Sequence, residues 1–177
     1  MIFTADNGFL HGEHGLSGKW FPFEESIRVP LVIWDPRMPA GKRRTLDDSI
    51  TLNIDLAPTV LAAARIKPPV GMQGRNIAEL YLNASAKQNW RTQFYYEHPM
   101  HGHGIPASSA LVRKNFKYVK YDQMGVESLF DLTTDPHEEK DVVGDLAYAD
   151  RLAEMKHYYE ELRLEVAKPP PYTGVTV

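Results

Sequence analysis

The sequence predicts an α/β fold that ends in a small antiparallel sheet packed by a long helix, and three observations carry that prediction. A short apolar run at residues 1–5 stops abruptly at Asp6-Asn7-Gly8. Short strand candidates then alternate with helix-forming stretches up to residue 82. Finally, strand candidates with short links fill residues 92–132 and precede a helix-length stretch with one apolar stripe.

Residues 1–5 read as a buried strand, short, largely apolar and ended by a turn signal. In open α/β sheets, ligands bind beyond the carboxyl ends of the strands, which is where Asp6 and Asn7 fall. A carboxylate beside a side-chain amide offers oxygen ligands, which favour Ca²⁺ or Mg²⁺ over zinc. Gly8 is expected to let the backbone turn sharply after them. The loop that follows is rich in glycine and charge and holds Lys19, a compact point charge on a long stem that can reach a tetrahedral anion beside a metal. Taken alone, Asp6-Asn7-Gly8 also reads as an ordinary turn, because Asn and Asp side chains bond nearby backbone.

Residues 31–34 form a second strand candidate between Pro30 and Pro36, and the alternation at 49–54 predicts a third. Asp55 reads as the N-cap of a helix over 56–64, where Pro58 is tolerated because first-turn amides have no intrahelical partner. Residues 67–71 break the chain and 76–82 predict a short helix. A composition shift at 83–89 divides the chain into residues 1–86, an α/β part, and 87–177, an antiparallel-sheet subdomain. In the latter, strands are expected at 92–97, 110–113, 116–121 and 128–132, a four-stranded sheet with a tight Lys114-Asn115 hairpin in which Asn tolerates positive φ. Asp135-Pro136 makes the closing turn. The helix over 146–167 carries Leu152, Met155, Tyr159, Leu162 and Val166 on one stripe and is expected to pack on one face of that sheet, with an extended tail at 169–177.

Composition is that of a globular chain, with 43% hydrophobic residues and enough length to bury about 70% of its unfolded surface. A net charge of −3 gives no reason to invoke nucleic acid. The Lys42-Arg43-Arg44 cluster reads as a solvated loop. No apolar run reaches the length of a membrane span and no secretory leader is present, while the lack of cysteine excludes disulfides without fixing the compartment.

The histidines divide into separate groups. His98, His101 and His103 fall close together around Pro99 and two glycines, so they form a loop that is open to three readings: solvated, touching substrate, or holding a transition metal. His11 and His14 lie in the loop before Lys19; His14 is a candidate catalytic residue whose other reading is to brace that loop. Arg28 is read as an ion-pair partner of Glu24 or Glu25 in preference to a second anion clamp. His137 sits in a turn and His157 on the surface of the terminal helix.

Together these motifs resemble the sulfatase family, the arylsulfatase-like enzymes of the alkaline-phosphatase superfamily. The resemblance runs through Asp6-Asn7-Gly8, Gly12-Glu13-His14-Gly15, Gly18-Lys19, and Phe23-Glu24 through Arg28 to Pro30. It continues through Asp55-Leu56-Ala57-Pro58-Thr59, Gln73-Gly74-Arg75-Asn76, Leu111-Val112-Arg113 with Lys117-Tyr118-Val119, and Leu129-Phe130-Asp131-Leu132 with Asp135-Pro136, in the family's order from residue 1 to about 166. It implies the C-terminal part of an alkaline-phosphatase-like α/β sandwich. It further implies that Asp6 and Asn7 are ligands of a single Ca²⁺, that Lys19 contacts sulfate, and that His98, His101 and His103 touch a sulfated small molecule or saccharide.

The departures are equally plain. The family's nucleophile is a formylglycine made from Cys or Ser in a Cys-x-Pro-x-Arg motif, and this sequence has no cysteine and no Ser-x-Pro-x-Arg. The family's N-terminal acidic pair and its leaving-group His and Lys are also absent. The resemblance therefore implies a C-terminal portion of a sulfuric ester hydrolase, inactive alone, that shares its calcium with a missing N-terminal part. Family members are often secreted, periplasmic or lysosomal; this sequence leaves the compartment open. One alternative is a non-catalytic binding module derived from a sulfatase, which an upstream reading frame bearing the nucleophile motif would argue against. The other is a phosphate-ester hydrolase of the same superfamily, against which stands Asn7, where such two-metal enzymes place a histidine.

Overall fold

The computed structural model describes residues 1–99 and 104–167. His101, His103 and the expected extended tail lie outside the described residues. Along the chain, β1 (Ile2–Thr4) leads into a hairpin of β2 (Leu10–His11) and β3 (Ser17–Gly18), then a single-turn helix α1 (Glu24–Ile27) and β4 (Leu31–Ile33). After these come α2 (Leu56–Ala63) and α3 (Glu79–Leu82). The four longer strands β5 (Gln93–His98), β6 (Ser108–Arg113), β7 (Phe116–Tyr121) and β8 (Val126–Asp131) precede the long helix α4 (Ala149–Val166). Packing does not follow sequence order: residues 2–32 form one compact unit with 93–167, and residues 33–92 form another with Met1.

The first of these units is built on an antiparallel sheet in the order β5-β6-β7-β8. Each strand is in the predicted place, displaced at its ends by up to two residues. Alternation sorts its side chains onto two buried faces. Leu111, Tyr118 and Leu129 point to α4, where they meet Met155 and Tyr159 of the predicted stripe. Burying each of these side chains stabilises the unit by about 1.5–3 kcal/mol. Leu152 and Leu162 pack at the edge of this cluster, while Val166 is exposed. On the opposite face Ala110, Val112, Val119 and Phe130 are covered by Phe23 and Ile27 of the α1 segment. The β6–β7 link is as tight as expected, yet Asn115 is not among the residues with positive φ. The next link does require a left-handed residue and supplies Gly125, at φ 62°.

β1 and β4 pair in a two-stranded sheet. The expectation that residues 1–5 are a buried strand is corrected here: Phe3 is 60% exposed and Val32 53% exposed. Two strands alone bury neither face; a strand becomes interior only between neighbouring strands and covering helices.

In the other unit the predicted strand at 49–54 does not form. The Ile50 carbonyl accepts from Trp90 Nε1 at 2.7 Å and from Arg91 at 3.3 Å, and Leu52 N donates to the Asp55 carboxylate at 2.8 Å. Side chains thus take the backbone groups that a partner strand would have used. The helix after Asp55 is present, but Asp55 does not cap it through its side chain. Its carboxylate is buried instead among Leu52 N, Arg75 N at 2.7 Å and the Arg91 guanidinium. Gly74 stands against this turn, and a Cβ there would lie 1.9 Å from the Ile54 carbonyl oxygen. The Lys42-Arg43-Arg44 cluster is exposed, as expected.

Candidate functional site

The site is assembled by a hairpin that the sequence reading treated only as a loop. Leu10 pairs with Gly18 and His11 with Ser17. Leu10 is fully buried and anchors the hairpin. Its tip, Gly12-Glu13-His14-Gly15, turns through left-handed residues at Gly12, His14 and Gly15. The return strand delivers Lys19 beside the residues that follow β1. Lys19 Nζ donates to Asn7 Oδ1 at 3.1 Å, Asn7 Nδ2 donates to the Gly8 carbonyl at 2.7 Å, and Asn7 N donates to Asp6 Oδ1 at 2.9 Å. The predicted Asp6, Asn7 and Lys19 therefore come together.

α1 clamps both ends of this arrangement through Ser26, which is buried. Gly8 N donates to the Ser26 carbonyl at 2.8 Å, and Trp20 N donates to Ser26 Oγ at 3.0 Å. This corrects the reason for Gly8: its φ is not positive, and what demands glycine is close approach, since a Cβ would lie 2.0 Å from the Glu25 carbonyl oxygen. Gly8→Ala must push α1 away and break the Gly8–Ser26 bond. We expect a loss of about 1–3 kcal/mol, read by chemical denaturation; an unchanged midpoint would show that residues 6–8 are not held against α1.

α1 is in turn held by a buried ion cluster that sequence reasoning missed. Lys117, on β7 and fully buried, lies 2.8 Å from Glu24 Oε1 and 2.7 Å from Glu138 Oε1. Glu138 Oε2 also accepts from Glu24 N at 2.7 Å and so satisfies the first amide of α1. Burial pushes the Glu138 carboxyl up, against the opposing pull of the Lys117 ammonium.

His14 stacks on Phe23 with ring centroids 3.8 Å apart, and its Nε2 lies 3.4 Å from Glu25 Oε2. This places it under the hairpin tip, against α1. His98, at the end of β5, stacks at 5.5 Å on Trp20, the residue that follows Lys19 in the chain. Arg28 does pair with Glu24, but at 3.9 Å with its side chain 81% exposed. That pair is a surface contact worth little. His137 and His157 are both exposed. Glu13 at the hairpin tip has its carboxyl held below the usual range by backbone amides, including that of His11.

Asp6 and Asn7 carry hard oxygen donors of the kind Ca²⁺ takes, so they fit such an ion in chemistry. Calcium takes about six to eight oxygens, and among the described residues no group of three or more His, Cys, Asp or Glu side chains is placed to hold a metal. Further ligands would have to join them.

Residues 12–165 match the family model described as N-sulphoglucosamine sulphohydrolase, C-terminal. The chain is 30% identical to an N-acetylglucosamine-6-O-sulfatase of Bacteroides thetaiotaomicron, over 100% of this chain and 32% of that protein. It superposes with a TM-score of 0.83 and 28% identity on a structure described as bound to its substrate D-glucosamine-2-N,6-O-disulfate, covering 95% of this chain and 35% of that one. It also superposes on the phosphonate monoester hydrolase of Agrobacterium radiobacter, with a TM-score of 0.78 and 26% identity over 93% of this chain and 34% of that one. The chain thus spans about a third of the length of the relatives it matches.

Proposed function

Because the chain belongs to the sulfatases, in the family of N-sulphoglucosamine sulphohydrolase C-terminal domains, and shares their alkaline-phosphatase-like α/β fold, we propose that it supplies the anion-binding side of a sulfuric ester hydrolase site. The observation that carries this reading is the contact of Lys19 Nζ with Asn7 Oδ1, at the end of β1 and beside Asp6. The hairpin and Ser26 hold Lys19 in place before any ligand arrives. A positioned cation of this kind stabilises negative charge on ester oxygens without reorganising during the reaction. Asn7 Oδ1 directs the ammonium, and Asp6 and Asn7 are the residues that would hold Ca²⁺. When bound, that ion supplies further positive charge against the sulfate oxygens. The substrate class is a sulfated saccharide, supported by the sulfated glucosamine named for the structural relative and by the sulfatase of Bacteroides thetaiotaomicron.

The chain has no cysteine to provide the nucleophile that the family resemblance calls for. Turnover of 4-nitrophenyl sulfate by the 177-residue chain is therefore expected to equal that of Lys19→Ala. Inorganic sulfate should give saturable shifts of the Asn7 and Lys19 amide resonances, and Lys19→Ala should abolish them. Sulfate binding that ignores Lys19 would overturn the reading. A second reading, hydrolysis of a phosphorus ester, is supported by the likeness to the phosphonate monoester hydrolase. It requires phenylphosphonate to bind at Lys19 more tightly than sulfate in the same titration.

A further inference from the structure

The residue after Lys19 has an unusual conformation. Trp20 has φ 78°, a left-handed backbone that a bulky aromatic residue rarely adopts. The fold holds it there from both sides. Its N–H donates to Ser26 Oγ at 3.0 Å, and its carbonyl accepts from Tyr96 Oη at 2.9 Å. Its ring lies nearly parallel to the His98 imidazole, at 11° and 5.5 Å between centroids. The Lys19 ammonium is 5.4 Å from the indole centroid. Nevertheless the side chain is 44% exposed, so core packing does not account for it. Glycine would adopt this backbone freely, as Gly12, Gly15 and Gly18 do in the same hairpin. Strain of this kind, fixed by its surroundings and placed beside a candidate site, points to a use for the side chain.

We propose that Trp20, backed by His98, is a stacking platform for the pyranose ring of a sulfated saccharide whose sulfate meets Lys19. This inference rests on the sulfatase reading above and adds to it the place where the organic half of the ester is recognised. A sulfated sugar has two chemically different ends. The anion suits the ammonium, and the C–H face of the ring suits a flat, polarisable indole held at a fixed angle. His98 on the neighbouring strand β5 fixes the plane of the indole, and the Ser26 and Tyr96 bonds fix its backbone. The platform and the cation therefore keep a constant separation, which is what allows a site to select a position of sulfation as well as the presence of sulfate.

The test compares probes by ligand-observed magnetic resonance on the 177-residue chain and on Trp20→Phe, Trp20→Gly and Lys19→Ala. The probes are N-acetylglucosamine 6-sulfate, unsulfated N-acetylglucosamine and inorganic sulfate. The unaltered chain should bind the sugar sulfate about three- to tenfold more tightly than inorganic sulfate. Trp20→Gly, which relieves the backbone, should erase that preference, the sugar sulfate losing more affinity than inorganic sulfate does, and Trp20→Phe should retain most of it. A purely structural Trp20 would weaken both probes together, and that result overturns the platform. So does a preference that survives in Trp20→Gly, or no preference in the unaltered chain. If sulfate binding depends on Lys19 while the preference ignores Trp20, only the platform falls. If sulfate binding ignores Lys19, the sulfatase reading falls and the platform with it.

Discussion

Replacing Lys117 with alanine is expected to lower the unfolding free energy of the chain by about 3–5 kcal/mol, read from urea denaturation. Lys117 is fully buried on β7 and lies within salt-bridge distance of both the Glu24 and the Glu138 carboxylates, whereas Arg28 meets Glu24 alone, at 3.9 Å and from an exposed position. Removing it leaves Glu138 charged in the interior or forces it to take up a proton, and both cost free energy. The loss also reaches the site, because Glu138 satisfies the first amide of α1, and α1 holds Gly8 and Trp20 through Ser26. A loss below about 1 kcal/mol, the size of a surface pair, would show that the cluster is solvated and does not anchor α1. The pH dependence follows from the direction of the Glu138 shift. Its carboxyl is raised in the folded chain, so as pH rises past 4.5 the unfolded state ionises first and the native state loses ground. Glu138→Gln removes that slope. The stability difference between the two proteins should move in favour of the variant as pH rises through this window, and movement in the opposite direction would mean that Lys117 outweighs burial.

The parts of this fold that were legible in the sequence are those whose signals are local. β7 could be read to its ends because residues 116–121 are rich in aromatic and β-branched side chains between turn residues, and α4 because Met155 and Tyr159 recur at helical spacing on one stripe. The second face of the sheet could not be read. Nothing in Phe23 to Ile27 indicates that this short segment covers Val119 and Phe130, and the contact exists only once distant parts of the chain have met. The strand expected at 49–54 failed for a related reason, since the competing donors, Trp90 and Arg91, lie some forty positions downstream. At the site, residue chemistry pointed to Asp6, Asn7 and Lys19, and the structure joins them. What the sequence did not disclose was how they are held. Glu24 and Glu138 meet across 114 positions, and the left-handed backbone of Trp20 leaves no trace in residue type. Gly8 was correctly singled out but for a different reason, since a close approach and a tight turn call for the same residue.

Asp55 offers the sharpest separation of a local reading from a tertiary one, because the two predict different magnitudes. As an N-cap, its replacement by alanine would cost about 0.5–2 kcal/mol. The structure predicts about 3–5 kcal/mol, again read from urea denaturation. Asp55 is fully buried, and its carboxylate accepts from Leu52 N, from Arg75 N and from both terminal nitrogens of Arg91, which is itself nearly buried. Alanine would leave that guanidinium without its carboxylate and two amides without acceptors, so the desolvation cost of each remains while its compensation is lost. The turn over residues 52–55 and the backbone at Arg75, where Gly74 approaches the Ile54 carbonyl, would lose their common anchor. A double-mutant cycle with Arg91→Met separates the two accounts. If Asp55 acts only on its own helix, the two substitutions add. If it is the anchor for Arg91, the double variant should be more stable than the sum of the single losses by about 1–3 kcal/mol, because the second substitution removes a charge that the first has already stranded.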